Sequence, residues 1–398
     1  MVMMMNMEEH LPRELVSNIL LRLSAEDLMK SKCVCKYWFN LITDPHFITN
    51  YYVVYNNNLM QFQSQEEKLF IIRRPFLSGL KTYISVLSWN INDPKGIVSS
   101  EILNPPYEYD SDYKYWTEIM GPCNGIYFLE GNPNVMMNPS LRQFIVLPQS
   151  PSCGSFTDYA GFGFDPKTND YKVVVIKDQI GIWTAELYSF NSNSWRKLDA
   201  ALPLPIQIWG SSRVYTFVNN CYHWFGFVDA SNRTGDVVVA FDMVKESFRK
   251  IKVPKIRYSS QEDFATLVPF NESATVGVIV YPVRGTTEKG FDVWVMKDYL
   301  DEGSWTKQYT VGHNEVMYKL VGFYGSNRFL WKDSDERLAL YNPDSEVKTK
   351  DLQVYGRYDS IRAARYMESL VSLQRGKERG HQFFSCSLVP DPLLSQGE

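Results

Sequence analysis

Five histidines, His10, His46, His223, His313 and His381, are the first places to look for acid–base or metal chemistry in this sequence. None has a second histidine four residues away, the spacing that sets two imidazoles on one helical face around zinc. His223 precedes Trp224 in a strand-like run, where a histidine is more often packed and hydrogen-bonded than poised as a base. Six cysteines are scattered along the chain, at Cys33, Cys35, Cys123, Cys153, Cys221 and Cys386. Cys33 and Cys35 supply at most half of a tetrahedral metal site, with no second Cys or His pair nearby, so helix packing is their expected role. Gly161-Phe162-Gly163 lacks the third glycine and the following helix of a dinucleotide loop and reads as a β-turn. Neither a Gly-x-Ser-x-Gly elbow nor a phosphate-binding loop occurs. These residues predict a chain with no catalytic constellation, no metal and no cofactor.

Chemistry of recognition is easier to find. Tyr107 to Trp116 interleaves acids with aromatics, and Tyr109, Asp110, Asp112, Tyr115 and Trp116 are the candidate contact residues for a basic protein partner. Charge complementarity around aromatic anchors is how such a surface holds a partner. The alternative is a solvated connection whose aromatics fold back onto their own domain. Asp333, Asp335 and Glu336 form a second acidic stretch with the same two readings.

The elements that carry these residues follow from composition and pattern. At 398 residues the chain exceeds a single core, which stops growing at roughly 250–300 residues. Its 15% aromatic content suits a β-rich fold, where such side chains pack on half-buried pleated surfaces. A net charge of −4, with no basic run, argues against nucleic acid as partner. Sparse cysteines fit a reducing compartment. Met1 to Met7 gives way to Glu8 and Glu9 without the charged start and apolar stretch of a secretory signal. No apolar run of about 18–20 residues predicts a membrane span. The expected location is the cytosol, with the nucleus open, where the sequons at Asn232 and Asn271 would not meet the glycosylation machinery.

Helical period marks the beginning of the chain. Pro12 is placed to open a helix, and Leu15, Val16, Ile19, Leu20 and Leu23 follow as one broad apolar face. Ser24 is the expected N-cap of a second helix, with Glu26 and Asp27 in its first turn. A third carries Val34, Trp38, Leu41 and Ile42 and stops at Asp44-Pro45. Three helices of this length rarely bury enough surface to fold alone, and these are apolar on more than one side. Either the rest of the chain or another protein covers the surplus.

After a polar stretch at Asn56–Lys68 the pattern turns to short apolar runs broken by turn residues. One unit recurs: an apolar strand ending near Asn or Asp, a polar turn, then a strand opening on Trp or Phe. It appears at Met137-Asn138-Pro139 before Phe144, at Phe190-Asn191 before Trp195 and at Phe241-Asp242 before Phe248. Val295-Met296-Lys297-Asp298 before Trp305 and Tyr341-Asn342-Pro343 before Val347 and Leu352 repeat it. Asn and Asp cap turns, and the aromatic fills the layer between sheets. A period of about 45–55 residues is that of four-stranded blades, so the fold expected is a small α-helical module followed by an all-β domain, a β-propeller of about six or seven blades. A β-sandwich with long hairpins is the alternative.

Two resemblances sharpen this. Leu11-Pro12, Ile19-Leu20, Leu23-Ser24, Leu28-Met29-Lys30, Cys33-Val34, Lys36, Trp38, Leu41-Ile42, Asp44-Pro45 and Phe47 fall as in an F-box. Ser31 stands where an aromatic is frequent, and Cys35 where a small polar residue is common. The resemblance implies docking on a Skp-type adaptor and, through it, a cullin; Leu11, Pro12, Leu15, Ile19, Leu20, Leu28, Val34 and Trp38 are then the expected adaptor contacts. Further on, Gly121-Pro122-Cys123-Asn124-Gly125, Asn138-Pro139-Ser140-Leu141-Arg142, Gly161-Phe162-Gly163-Phe164-Asp165-Pro166 and Asn169-Asp170-Tyr171-Lys172-Val173-Val174 are similar to the plant F-box-associated domain. So are Trp195-Arg196-Lys197-Leu198, His223-Trp224 and Asp292-Val293-Trp294-Val295-Met296.

Within that family the sequence resembles the S-locus F-box proteins of pollen self-incompatibility, whose target is a ribonuclease secreted by the style. The resemblances imply a non-catalytic substrate receptor of a ubiquitin ligase: an F-box at 8–50, a connector at 51–68, a β domain at 69–375 and a tail at 376–398. A receptor for another plant regulatory protein and a lectin-like module, with aromatics stacking on sugars, are the competing functions. A propeller hydrolase is disfavoured for want of a catalytic group.

Overall fold

A computed structural model describes residues 11–374 except 62–65, 75–81, 91–98, 104–117, 152–157, 180–181, 201–206, 209–213, 230–233, 257–262, 271–273, 283–289, 312–318, 325–327, 334, 336, 343–348 and 357–359. Four helices come first. Pro12 precedes α1 (Arg13–Leu20). Ser24 caps α2 (Ala25–Ser31), its hydroxyl accepting from the Asp27 N–H at 3.1 Å, and Lys30 pairs with Glu26 one turn back at 2.8 Å. At the start of α3 (Lys36–Thr43) the Cys35 thiol takes the capping place and accepts from the Trp38 N–H.

Asp44-Pro45 ends α3 as expected and also begins another helix. Proline is tolerated at a first helical position because its missing N–H has no partner there, and the Asp44 carboxylate accepts the His46 N–H at 2.8 Å. So α4 (Pro45–Gln61) occupies most of the stretch expected to be connector, and the α-helices number four among the described residues.

The rest is antiparallel sheet. The strands are β1 (Glu66–Arg73), β2 (Tyr83–Asn90), β3 (Ser99–Leu103), β4 (Glu118–Cys123), β5 (Ile126–Glu130), β6 (Val135–Asn138) and β7 (Gln143–Val146). Then come β8 (Asp158–Asp165), β9 (Asp170–Gln179), β10 (Ile182–Ser189) and β11 (Ser194–Lys197), followed by β12 (Gln207–Ile208), β13 (Phe217–Val218), β14 (Cys221–Asp229), β15 (Thr234–Asp242) and β16 (Ser247–Lys252). The last are β17 (Asp263–Phe270), β18 (Thr275–Pro282), β19 (Phe291–Met296), β20 (Trp305–Val311), β21 (Lys319–Tyr324), β22 (Arg328–Lys332), β23 (Arg337–Tyr341), β24 (Thr349–Tyr355) and β25 (Arg362–Arg365).

They form six sheets, the blades of a β-propeller, which settles the expected range at six. Five blades use consecutive strands, with β12 and β13 sharing the inner edge of β14. The blade of β1, β2 and β3 takes its inner strand from the far end of the chain: β25 pairs β1 with Arg365 opposite Leu69. That pairing closes the ring and removes the free edge that β1 would otherwise present.

Each recurring turn noted in the sequence lies between the last two strands of a blade. Tyr188 and Trp195 face one another across β10–β11, and Phe241 and Phe248 across β15–β16, with ring centroids 5.4 and 4.7 Å apart. Gly161-Phe162-Gly163 is not a turn. It lies within β8, the inner strand of its blade, and its glycines let the next blade approach. A Cβ at Gly161 would meet the Trp224 and Tyr222 rings at 2.6 Å, and one at Gly163 the Phe217 ring at 2.3 Å. The Trp224 indole N–H reaches across to the Ala160 carbonyl at 3.0 Å.

Candidate protein-interaction site

The helices keep one set of apolar residues for themselves and leave another outside. Val16, Leu20, Leu21, Ala25, Leu28, Leu41, Ile42, Phe47 and Tyr51 make a small core, completed by Leu370 from the far end of the chain. Leu11, Leu15, Ile19 and Val34 stay 58%, 50%, 54% and 65% exposed, with Pro12 exposed beside them. Tyr37 and Phe39 on α3 are exposed too, and Trp38 is half-buried against the helical core. Single exposed apolar side chains are ordinary, but this many on about thirty residues mark a surface built to be covered.

Of the eight adaptor contacts expected from the sequence, Leu11, Pro12, Leu15, Ile19 and Val34 lie on that surface, and Trp38 borders the core. Leu20 and Leu28 do not. Both are fully buried, because a helical module this small needs them as its own core. Tyr37 and Phe39 were not singled out in the sequence; their adjacency to Trp38 in an i, i+1 string gives no periodic signal of exposure.

The helices are held to the propeller by the segment that follows β25, residues 366–374, here called the strap. On one side it is tied to the blade of β4–β7. Asn138 donates to the carbonyls of Ser369 and Val371 at 3.2 and 2.7 Å, the Ser140 hydroxyl accepts the Ser369 N–H at 3.1 Å, and Gln143 accepts the Leu373 N–H at 2.7 Å. Gly125 is needed for this approach, since a Cβ there would lie 2.4 Å from that of Ser369. On the other side the strap meets the helices. One Glu368 carboxylate oxygen accepts the Ala25 N–H of α2 at 2.7 Å and the Tyr51 hydroxyl of α4 at 2.8 Å.

This arrangement gives the two faces of the propeller. β25 runs toward the strap, so its first residue, Arg362, lies at the end away from the helices. Arg362 there pairs with Glu118, the first residue of β4, at 2.5 Å, and Leu103 ends β3 level with it. Leu103, where β3 ends, and Glu118, where β4 begins, therefore lie at the face opposite the docking helices. Tyr109, Asp110, Asp112, Tyr115 and Trp116 themselves lie outside the described residues, as does Glu336. Asp333 and Asp335 are described. Both pair with Arg337, and the Asp333 carboxylate also accepts the N–H groups of Asp335 and Arg337 at 2.9 and 2.8 Å. Their charge is partly neutralised within their own turn.

Polar groups are also buried in the β domain. His223 is fully buried, and its ring spans the Thr216 carbonyl at 3.3 Å and the Tyr299 hydroxyl at 2.9 Å. That pattern assigns the proton to Nδ1, donating to Thr216, with Nε2 accepting from Tyr299. Burial drives its pKa down to about 4, so the ring is neutral. Between two neighbouring blades Lys172 bridges Asp165 at 2.7 Å and Glu246 at 2.9 Å. Burial opposes charge on Asp165, yet hydrogen bonds from Lys172, Thr168 and the Lys167 N–H hold its carboxyl down at about 2. Cys123 and Cys221 are buried, and burial raises both thiols, that of Cys123 to about 12. Cys33 and Cys35 are exposed. No group of metal-ligating side chains gathers among the described residues, and none of their helices is long and apolar enough to cross a membrane.

A helical module with an uncovered apolar face, mounted on a six-bladed propeller, is the architecture of an F-box protein with a recognition domain. Comparison with known proteins agrees: residues 9–53 match the F-box-like family, and residues 77–390 match the F-box associated beta propeller domain. The chain belongs to the F-box associated β-propeller family. Its relatives include the F-box protein CPR1 of Arabidopsis thaliana, 26% identical over 330 residues that cover 76% of this chain and 73% of CPR1. An Arabidopsis F-box/kelch-repeat protein is 22% identical over 316 residues, 75% of this chain and 78% of its own. Another Arabidopsis F-box protein is 26% identical over 251 residues, so this chain spans 62% of that relative's length. Among solved structures, an oligogalacturonate lyase in complex with manganese superposes with a TM-score of 0.38 at 9% identity, over 69% of this chain and 76% of the lyase. That likeness bears on neither activity nor metal.

Proposed function

We propose that this chain is the substrate-recognition subunit of a Skp–cullin–F-box ubiquitin ligase. The observation that carries the reading is the exposure of Leu11, Pro12, Leu15 and Ile19 at and along α1, with Val34, Tyr37 and Phe39 also exposed on the helical module. A Skp-type adaptor covers that surface, with Trp38 as an anchor reaching from the surface into the helical core. The chain itself performs no bond chemistry. It supplies proximity, holding a target lysine near a charged ubiquitin-conjugating enzyme bound elsewhere in the assembly. The test is reconstitution: wild-type chain mixed with a Skp-type adaptor and cullin elutes as one complex in size-exclusion chromatography. Separate elution would refute the reading.

The target site in this proposal is the propeller face away from the helices, where β3 ends at Leu103 and β4 begins at Glu118. The target itself, in line with the S-locus resemblance, is a basic ribonuclease secreted by the style, met by Tyr109, Asp110, Asp112, Tyr115 and Trp116. The chain would then act in the cytosol of the pollen tube. Reversing both charges, Asp110→Lys with Asp112→Lys, should weaken ribonuclease capture and leave adaptor binding intact. Equal capture by the double variant counts against this site. Failure of the wild type to retain any style ribonuclease favours a receptor for another plant regulatory protein.

A further inference from the structure

The strap does more than finish the propeller. Its residues alternate: Glu368 and Leu370 face the helices, while Ser369, Val371 and Leu373 face the β domain. Leu370 is buried in the helical core and Leu373 in the propeller core, both almost without exposure. On either side of Leu370 the backbone is held by Asn138 and Ser140, at Ser369 and Val371, and nearer β25 Tyr127 locks the strap at its root. The Tyr127 hydroxyl donates to the Arg365 carbonyl at 2.6 Å and accepts the Met367 N–H at 3.1 Å. The Tyr52 hydroxyl of α4 adds a contact to the Met367 sulfur at 3.4 Å.

Glu368 occupies the junction. It is 6% exposed, and one of its oxygens joins α2 and α4, two non-adjacent helices of the docking module. The Ala25 N–H is a first-turn donor with no partner inside its own helix, so the carboxylate satisfies a group that burial would otherwise leave bare. A buried, charge-assisted hydrogen bond of this kind is directional, and two of them on one oxygen define an angle rather than a mere attachment. Among the described residues, Leu370 and Leu141 packed against the helical core and the Tyr52 contact with Met367 also join the helices to the rest of the chain.

We propose that Glu368 is a positioning residue for target presentation: by fixing the docking helices against the blade of β4–β7, it sets the orientation in which the propeller offers its target to the rest of the ligase. This rests on the reading of the chain as an adaptor-bound receptor. Orientation matters because proximity assists transfer only when the acceptor lysine is held within reach of the conjugating enzyme; a pivoting receptor spreads that lysine over many positions.

The experiment places one spectroscopic label, by unnatural amino acid, at exposed Asn18 of α1 and another at exposed Lys167 of the propeller, in the full chain bound to a Skp-type adaptor. Pulsed dipolar spectroscopy then reads the distance distribution. Wild type should give one narrow distance. Glu368→Ala should at least double its width, while adaptor affinity changes less than twofold. Glu368→Gln, which keeps an acceptor oxygen for Ala25 and Tyr51, should restore the narrow distribution. Tyr51→Phe, which removes one donor and keeps the ring, should fall between. In the reconstituted ligase, Glu368→Ala should also spread ubiquitin over more of the receptor's own propeller lysines, mapped by mass spectrometry, and Glu368→Gln should not. An unchanged width in Glu368→Ala, or an unchanged lysine pattern despite a doubled width, overturns the proposal. Should the wild type fail to bind the adaptor, the receptor reading fails, and labels on the free chain still decide whether Glu368 holds the helices.

Discussion

His223 makes the stability of the propeller depend on pH in a window that can be calculated. Its folded-state pKa is about 4, against an ordinary 6.5, because burial and the nearby Arg249 charge disfavour the imidazolium more than hydrogen bonds with the Thr216 and Cys221 backbone favour it. The unfolded chain therefore binds a proton that the folded chain refuses between those two values. Stability is fully present above about 6.5, falls as pH drops through the window, and levels off below about 4. A shift of this size corresponds to about 3 kcal/mol, of which about 2–3 kcal/mol is lost between pH of about 7 and about 4.5. Asp165 does not confuse the measurement. Its carboxyl is held down at about 2, so its contribution is present above its ordinary 3.8 and lost only as pH falls toward 2. The perturbation is His223→Gln, whose amide can donate to the Thr216 carbonyl and accept from Tyr299 without titrating. Urea unfolding followed by tryptophan fluorescence, across that pH range, should show a pH slope for the variant shallower by about 2–3 kcal/mol, whatever its stability at neutral pH. Parallel slopes for the two proteins would refute the assignment of His223 as a buried neutral ring.

Two further outcomes follow from packing and exposure. Gly161→Ala inserts a methyl 2.6 Å from the Trp224 and Tyr222 rings, so thermal unfolding should report a loss of about 1–3 kcal/mol; a stability equal to wild type would show that the two blades are not in close contact at β8. In the native protein a charged alkylating reagent should label Cys33 and Cys35 and spare Cys123 and Cys221, as read by peptide mass mapping, because only the first two are exposed. Labelling of Cys123 ahead of Cys33 would contradict the burial of the inner strand β4.

Much of the architecture was legible because its signals are local. Each turn that pairs Asn or Asp with a following Trp or Phe joins the last two strands of a blade, so Phe190-Asn191 and Trp195 announce β10 and β11 within a few residues of each other. The blade of β1–β3 escaped that pattern for a physical reason: its inner strand is β25, nearly 300 residues away, and β3 opens on serine rather than an aromatic. Among the helices, period alone showed apolar residues on more than one side. It could not say that Leu20 and Leu28 turn inward while Ile19 turns out, since that depends on where α3 and α4 lie. The polar run at Asn56–Lys68 read as a connector because its asparagines carry no amphipathic stripe, yet Asp44 and Pro45 supply a helix start that propagates into it as far as Gln61. Glu368 had no signal at all. A glutamate in an aperiodic stretch is ordinarily solvated, and its partners Ala25 and Tyr51 are 343 and 317 residues distant.

The central claim, that the exposed helical face docks a Skp-type adaptor, meets its most direct test in titration calorimetry. Ile19→Asp places a charge at a site 54% exposed in the free chain, where it costs the fold little but would be desolvated under a partner. Wild-type chain should bind measurably, and Ile19→Asp should lose at least about 30-fold in affinity, or about 2 kcal/mol. A propeller-surface control, Lys167→Glu, should bind as wild type does. Wild-type affinity in Ile19→Asp would contradict the claim.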